Sequence, residues 1–156
     1  MLSFTSSLDA DMQSFVIFVN AKYEYKDKEG ILPDNMVQKI NSFLSVKVKK
    51  QDDEINSFDV FNQQKCFIIK VKNKYENYYP QESGGIFYSH LKKFKHLNNI
   101  SFCVDTLDLS KEKLIEFFSE FIFGFNLKSY TFNKYKTLNK EKINKRVNFK
   151  IITSHK

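Results

Sequence analysis

The segment Phe15-Val16-Ile17-Phe18-Val19 constrains this 156-residue chain more than any other. Its five consecutive apolar residues, three of them β-branched, offer no polar face to water. Such a run reads as a short strand covered on both faces, and a strand of that kind needs a layer of other elements above and below it. The rest of the chain supplies candidates in alternation. Tyr23 to Gly30 is a charged loop. Pro33 stands at a first helical position, and Met36, Val37, Ile40, Phe43 and Leu44 follow at helical spacing. Lys47 to Asn56 is polar and reads as irregular. Phe58 to Phe61 reads as a short strand and Cys66 to Val71 as a stronger one. Asn73 to Ser83 reads as a loop containing Pro80. Ser83 is then the cap of a helix that turns Ile86, Phe87, Leu91 and Phe94 inward. Ile100 to Val104 is the next strand. Ser110, with Glu112 behind it, opens a helix expected to bury Leu114, Ile115, Phe117, Phe118, Phe121, Ile122 and Phe125. Val147, Phe149 and Ile151 alternate with polar residues, as in a final strand. This order predicts an α/β fold with a mixed, largely parallel sheet flanked by helices.

A chain of this length fits one domain and can bury about two-thirds of its unfolded surface without a staple. Hydrophobic residues at 42% and charged residues at 28% exclude a disordered, collagen-like or membrane-embedded class. Cys66 and Cys103 are too few for a disulfide scaffold, which favours a reducing compartment. Met1 to Thr5 carries no basic region, and Asp9 and Asp11 interrupt any signal-like apolar stretch. The runs Phe15 to Val19 and Phe121 to Phe123 are far too short to span a bilayer. The expectation is a cytoplasmic protein with no membrane partner.

The formal charge of +7 is unevenly placed. From Leu127 to Lys156 nine basic residues face Glu141 alone, so this segment carries +8 and the rest of the chain is close to neutral. Lys128, Lys134, Lys140, Lys142 and Arg146 form a candidate patch for an anion or nucleic acid, and Lys128 to Lys136 interleaves lysines with aromatics. Only Arg146 is an arginine, which argues against bidentate phosphate or base recognition and for a solvated lysine-rich face. The wider excess of Lys, Asn, Ile, Phe and Tyr also follows from A/T-rich codon usage.

No chemistry-bearing pattern emerges elsewhere. His90 and His96 are six residues apart, not at the i, i+4 spacing of a helical zinc pair, and neither cysteine has a Cys-x-x-Cys partner. There is no Gly-x-Ser-x-Gly. The carboxylates Asp52, Asp53 and Glu54, and likewise Glu24, Asp27 and Glu29, lie in polar loops. Gly84-Gly85 is the only glycine pair. It reads as a turn or a close approach, with a small anion nest at a helix start as the other possibility. No catalytic or metal-ligating residue is assigned.

The segment Phe123 to Thr137 resembles a signature of the leucyl (cytosol) aminopeptidase family. There, the last helix of the N-terminal domain ends in a Gly-containing stretch followed by Tyr-x-Phe-x-x-Tyr-Lys. Tyr130, Phe132, Tyr135 and Lys136 match it at the same spacing. Phe4 to Leu8, the strand Cys66 to Val71, the helix after Gly84-Gly85 and the strand Ile100 to Val104 fall in the family's order. The resemblance implies a macro-domain-like three-layer sandwich. It implies an N-terminal non-catalytic domain over 1–137. A basic segment over 138–156 would then hold the last strand and begin the connection to a C-terminal catalytic domain. In the family that second domain carries the peptidase site with two divalent metals, manganese or zinc, and the whole enzyme is a hexamer whose N-terminal domains shape the assembly. None of that metal motif falls within these 156 residues, so the chain itself is expected to hold no cofactor. Tyr130, Phe132 and Tyr135 are expected to lock the last helix to the sheet, with Lys136 facing the following domain or solvent. Val71-Lys72-Asn73-Lys74 stands where the family has a glycine-bearing turn. Macro domains bind ADP-ribose through glycine-rich loops that this chain lacks, so that ligand is not expected. The alternative reading is a basic nucleic-acid-binding or protein-interaction module.

Overall fold

The computed structural model describes residues 2–8, 12–27, 30–47, 53–61, 64–74, 76–130 and 147–154. The elements run β1 (Leu2–Thr5), β2 (Ser14–Val19), α1 (Asp34–Lys47), β3 (Ile55–Phe61), β4 (Gln64–Lys70), α2 (Tyr79–Leu91), β5 (Asn99–Cys103), α3 (Lys111–Ser129) and β6 (Asn148–Ile152), with a short 3-10 turn at Val104–Thr106. β2 is buried at every position, as its composition requires. It lies between β4 and β5, parallel to both. The full order is β1-β6-β5-β2-β4-β3, parallel throughout except for the β3–β4 hairpin at one edge. β6, from the basic C-terminal segment, is inserted between β5 and β1 and is an interior strand of the sheet.

Because side chains alternate along a strand, β2 feeds two cores. Phe15, Ile17 and Val19 pack with Ile40 and Leu44 of α1 and with Cys66, Ile68 and Cys103. Val16 and Phe18 pack on the opposite face with Phe67, Phe102 and the buried sides of α2 and α3. The ring of Phe18 meets Phe117, Phe118 and Phe121 edge-on, with centroids 5.8–6.4 Å apart. The result is the expected mixed, mostly parallel α/β sandwich, with α1 on one side and α2 and α3 on the other.

Several local expectations are corrected. The loop predicted over Asn73 to Ser83 ends early, because α2 already begins at Tyr79. Pro80 sits in its first turn, where a missing N–H costs nothing, so this proline starts a helix instead of marking a loop. Ser83 is therefore buried inside α2 and is not a cap. Tyr79 is fixed by its hydroxyl, which donates to the Lys70 carbonyl at 3.1 Å. Ile86 and Ile115 face outward, at 40% and 58% exposure. α2 stops at Leu91, before Phe94. β3 begins at Ile55, inside the segment read as irregular, and Asn56 is buried there. Pro33 lies just before α1, where its carbonyl accepts from the Met36 and Val37 amides. β1 is an additional strand, outside the elements that the sequence pattern predicts. Ser110 caps α3 as expected, accepting from the Lys113 amide at 3.5 Å.

Gly84 and Gly85 lie within α2 and do not precede it, so they form no anion nest at a helix start. The close-approach reading holds. A Cβ on Gly84 would stand 1.9 Å from the Phe121 carbonyl oxygen, and one on Gly124 would stand 1.9 Å from that of Gln81. α2 and α3 thus touch backbone to backbone. At Gly85 the nearest atom would be 3.7 Å away, an ordinary contact. Gly84→Ala and Gly124→Ala must force the helices apart, at a cost of about 1–3 kcal/mol or more. Gly85→Ala relieves a helix-interior glycine and should stabilise by about 0.5–1 kcal/mol. Urea unfolding of the three variants checks this, and equal effects at Gly84 and Gly85 would refute the close-contact account.

Candidate functional site

The winding of the chain locates the place to look for a ligand. From β2 the chain reaches the β4 side with α1 on one face. From β4 it returns through α2 to β5, and through α3 to β6, on the other face. Open α/β sheets bind ligands at such a reversal, outside the carboxyl ends of the strands. A cleft of about 720 Å³ lies there, between the segments that follow β2, β4 and β5 and the first turns of α2 and α3.

Each wall is set by local hydrogen bonding. After β2, the Asn20 side chain accepts from the amides of Lys22 at 2.8 Å and Glu24 at 3.0 Å, curling the loop. Tyr23 takes a left-handed backbone with φ of 62°. The Asp27 carboxylate accepts from the amides of Ile31 and Leu32 at 2.7 and 3.0 Å. After β5, Thr106 is buried at the base of the cleft. Its hydroxyl accepts from the Phe18 amide at 2.9 Å and donates to the Cys103 carbonyl at 2.6 Å, tying β2 to the 3-10 turn. Lys26 pairs with Asp108 across the cleft mouth. Lys72 pairs with Glu54 at 3.6 Å, and its ammonium lies 4.9 Å from the centre of the Tyr79 ring. On α3, Glu120 accepts from the Gln81 side chain.

The lining balances Lys26, Lys72, Lys74 and Lys113 against Glu24, Asp108, Glu116 and Glu120. A phosphate-bearing ligand therefore meets no net attraction. The turn after β4 carries Lys72, Asn73 and Lys74 and no glycine. Burial, with Asp27 and Cys66 nearby, pushes the Tyr25 phenol up to about 12, so it stays protonated. Its hydroxyl donates to Asn41 at 3.1 Å. Burial also raises the thiols of Cys66 and Cys103, which sit in the α1-side core as free cysteines. Among the described residues no three of His, Cys, Asp and Glu gather where one metal ion could be held. No described helix is long and apolar enough to cross a membrane.

Of the residues singled out in the sequence, Lys128 and Tyr130 are described, and neither lines this cleft. Lys128 is exposed in the last turn of α3, its stem facing Gly85. Tyr130 is the C-cap of α3. Its amide donates to the carbonyls of Asn126 and Leu127, and the residue is 69% exposed. Phe132, Lys134, Tyr135, Lys136, Lys140, Lys142 and Arg146 lie outside the described residues. Thr106 and the Lys26–Asp108 pair carry no signal in the sequence. Both depend on contacts between distant parts of the chain that no local spacing encodes.

One titratable group is distinctive. His90, near the end of α2, has Nε2 3.5 Å from the Ser57 hydroxyl and its ring edge-on to Phe67. Burial, with Lys93 and Lys65 nearby, lowers its pKa, while Asp53 opposes this. The native state thus takes up the proton less readily than the unfolded chain. His90's contribution to stability is complete above pH 6.5 and is lost as pH falls from there through its lowered folded value. Thermal unfolding between about pH 7 and 5 should show a steeper loss for the parent chain than for His90→Gln, and parallel curves would refute it.

By sequence, no family model and no curated protein matches the chain. Solved structures do match its fold. A tomato leucine aminopeptidase mutant superposes with a TM-score of 0.68 at 13% identity, over 97% of this chain and 32% of that one. The macrodomain of Thermus aquaticus DarG superposes with 0.63 at 11% identity, covering 98% of both chains. That of Mycobacterium tuberculosis DarG gives 0.60 at 10%, covering 99% of both. The chain spans about a third of the tomato enzyme's length. At these identities the likeness is one of fold, and it makes the sandwich macro-domain-like.

Proposed function

We propose that this chain is a non-catalytic, macro-domain-like N-terminal domain of a leucyl-aminopeptidase-like enzyme, serving to support and shape its assembly. The observation that carries this reading is the position of Tyr130. The signature Tyr-x-Phe-x-x-Tyr-Lys is a match of sequence alone, and its first residue is the C-cap of the helix after β5. Gly124, in the Gly-containing stretch before it, is the residue that lets that helix touch α2. A short sequence motif and a whole-chain fold likeness at 13% identity are independent supports, and both point to the same part of a leucine aminopeptidase.

On this reading the two divalent metals and the peptide-cleaving site belong to a following domain, and the hexamer and cytoplasmic setting belong to the whole enzyme. The purified 156-residue chain should release no p-nitroaniline from leucine p-nitroanilide with added manganese or zinc. The endogenous polypeptide, seen by immunoblot with an antibody to this chain, should run well above 18.5 kDa. Metal-dependent turnover by the chain alone, or a single band at 18.5 kDa, would sink the reading.

A second reading, a nucleic-acid-binding module, is favoured by one feature of the sheet. Residues 83–104 and 121–140 contain lysines and no carboxylate. The turn carrying Lys92, Lys93 and Lys95 leads directly into β5. The basic segment leads into β6, with Asn99 and Asn148 side by side and their side chains joined at 2.9 Å. Binding of single-stranded oligonucleotide that survives about 0.15 M salt would support this. Its complete loss by then would mark nonspecific lysine electrostatics.

A further inference from the structure

The sheet ends in two edges, and only one of them is guarded. At the β3 edge the register shifts between Asp59 and Phe61, and the exposed Asp59 pairs with Lys65 at 2.6 Å. A bulge and a charge are what keep an edge strand from pairing with another chain. The β1 edge has neither. No charged residue falls between Leu2 and Leu8, and the register with β6 is unbroken. Among the described residues no strand pairs with its outer side. A second hollow, of about 510 Å³, opens beside this edge, between β1 and α3. It is an apolar groove, formed by Phe4 of β1, Ile151 of β6 and Ile115, Phe118 and Ile122 of α3. Phe4 is 69% exposed and Ile115 58%. We propose that this edge is an interface between two copies of the chain, in which β1 pairs antiparallel with the β1 of a second copy across a two-fold axis. The two six-stranded sheets then become one. The inference does not depend on the aminopeptidase reading.

The backbone sets what can sit there. The Thr153 amide donates to the Thr5 carbonyl at 3.0 Å, so Thr5 bonds toward β6. Successive residues of a strand turn their amide and carbonyl to opposite sides, so those of Phe4 face the open edge. The occupant must be an extended, uncharged segment that returns both bonds. The side chains add a second demand. Phe4 points to the α3 face, where the groove lies, so the occupant must also bring an apolar side chain to that face. β1 itself meets both demands. A two-fold axis perpendicular to the sheet keeps like faces together, so Phe4 meets its counterpart as a cross-strand pair and the two grooves adjoin over the seam. One patch that answers its own requirements is the mark of an isologous contact. Charge does not oppose the pairing, since neither strand carries any. Area sets its strength. The strand is four residues long, and a Phe side chain buries about 150–250 Å² at most. Such a contact belongs to the class below about 1,200 Å² in total, that of reversible encounters. The guarded β3 edge stops the assembly at two copies.

Analytical ultracentrifugation of the 156-residue chain tests this. Between about 10 μM and about 1 mM, the range of a weak interface, the chain should pass from monomer to dimer with no larger species. Phe4→Lys sets two ammonium groups against each other across the axis and should hold the chain monomeric throughout. Leu127→Lys changes a comparably exposed apolar residue of α3 outside the groove and should leave the dimer intact. Hydrogen exchange gives a reading that needs no variant. The Phe4 amide of the unmodified chain should exchange at least about threefold more slowly at the highest concentration than at the lowest. A chain that stays monomeric, a dimer that survives Phe4→Lys, or a dimer that leaves Phe4 exchange unchanged would each overturn the proposal. Loss of the dimer in Leu127→Lys alone would overturn it in favour of the outer side of α3. The aminopeptidase reading stands or falls separately, on the mass of the endogenous polypeptide against 18.5 kDa.

Discussion

Two carbonyl oxygens, those of Phe121 and Gln81, fill the space that Cβ atoms would need at Gly84 and Gly124. This contact fixes the separation of α2 and α3, and through them much of the rest. α3 is held close enough for Phe117, Phe118 and Phe121 to close on Phe18, the side chain through which the central strand enters this core. The spacing also sets what α3 does on its other sides. Its first turns carry Lys113, Glu116 and Glu120 to the cleft, and its outer side carries Ile115 and Ile122 to the apolar groove. A wider seam would shift every one of these side chains together.

The two hollows differ in kind. The cleft lies where an α/β sheet ordinarily binds, yet its charges are balanced, and two of its lysines are already paired, Lys26 with Asp108 in the lining and Lys72 with Glu54 outside it. The pairs are partly exposed and contribute little stability. Their consequence is electrostatic, since cations already matched by carboxylates give an incoming anion little to bind. The groove has the opposite character, an apolar surface rimmed by Lys111, Ser119 and Thr153. Desolvation favours covering that surface, and nothing in its lining selects a charged small molecule.

The layers of the fold are legible in the sequence because they follow from burial. A five-residue apolar run rich in β-branched residues reads as a covered strand, and the stripes at Met36–Leu44 and Leu114–Phe125 read as helices facing it. Sequence and structure part where one residue type serves two purposes. Pro80 fits a loop in the sequence, although a first helical turn also accepts it. Gly84-Gly85 carries the signal of a close approach, but a position before the helix conceals that its partner is the Gly124 region forty residues on. Ile115 and Ile86 point inward only if apolar type is equated with burial, and both stand outside. Of the candidate positions, only those in the motif that begins at the end of α3 have a local signature. The cleft is built by tertiary hydrogen bonds through Thr106, Asn20 and Asp27, whose partners no sequence spacing announces.

α3 carries several of these constraints at once. Lys111 to Glu120 faces the cleft and the groove, Gly124 makes the seam, and Tyr130 closes the helix at the other end of the sheet. Its first turns carry Glu112, Glu116 and Glu120 beside Lys111 and Lys113, and its last turn carries Lys128. Glu112 and Lys128 suit the helix dipole, and Glu112's carboxyl is held below its ordinary value by a backbone hydrogen bond and by Ser110. A helix under so many simultaneous constraints has little freedom to change its length or its glycine, whatever the domain does.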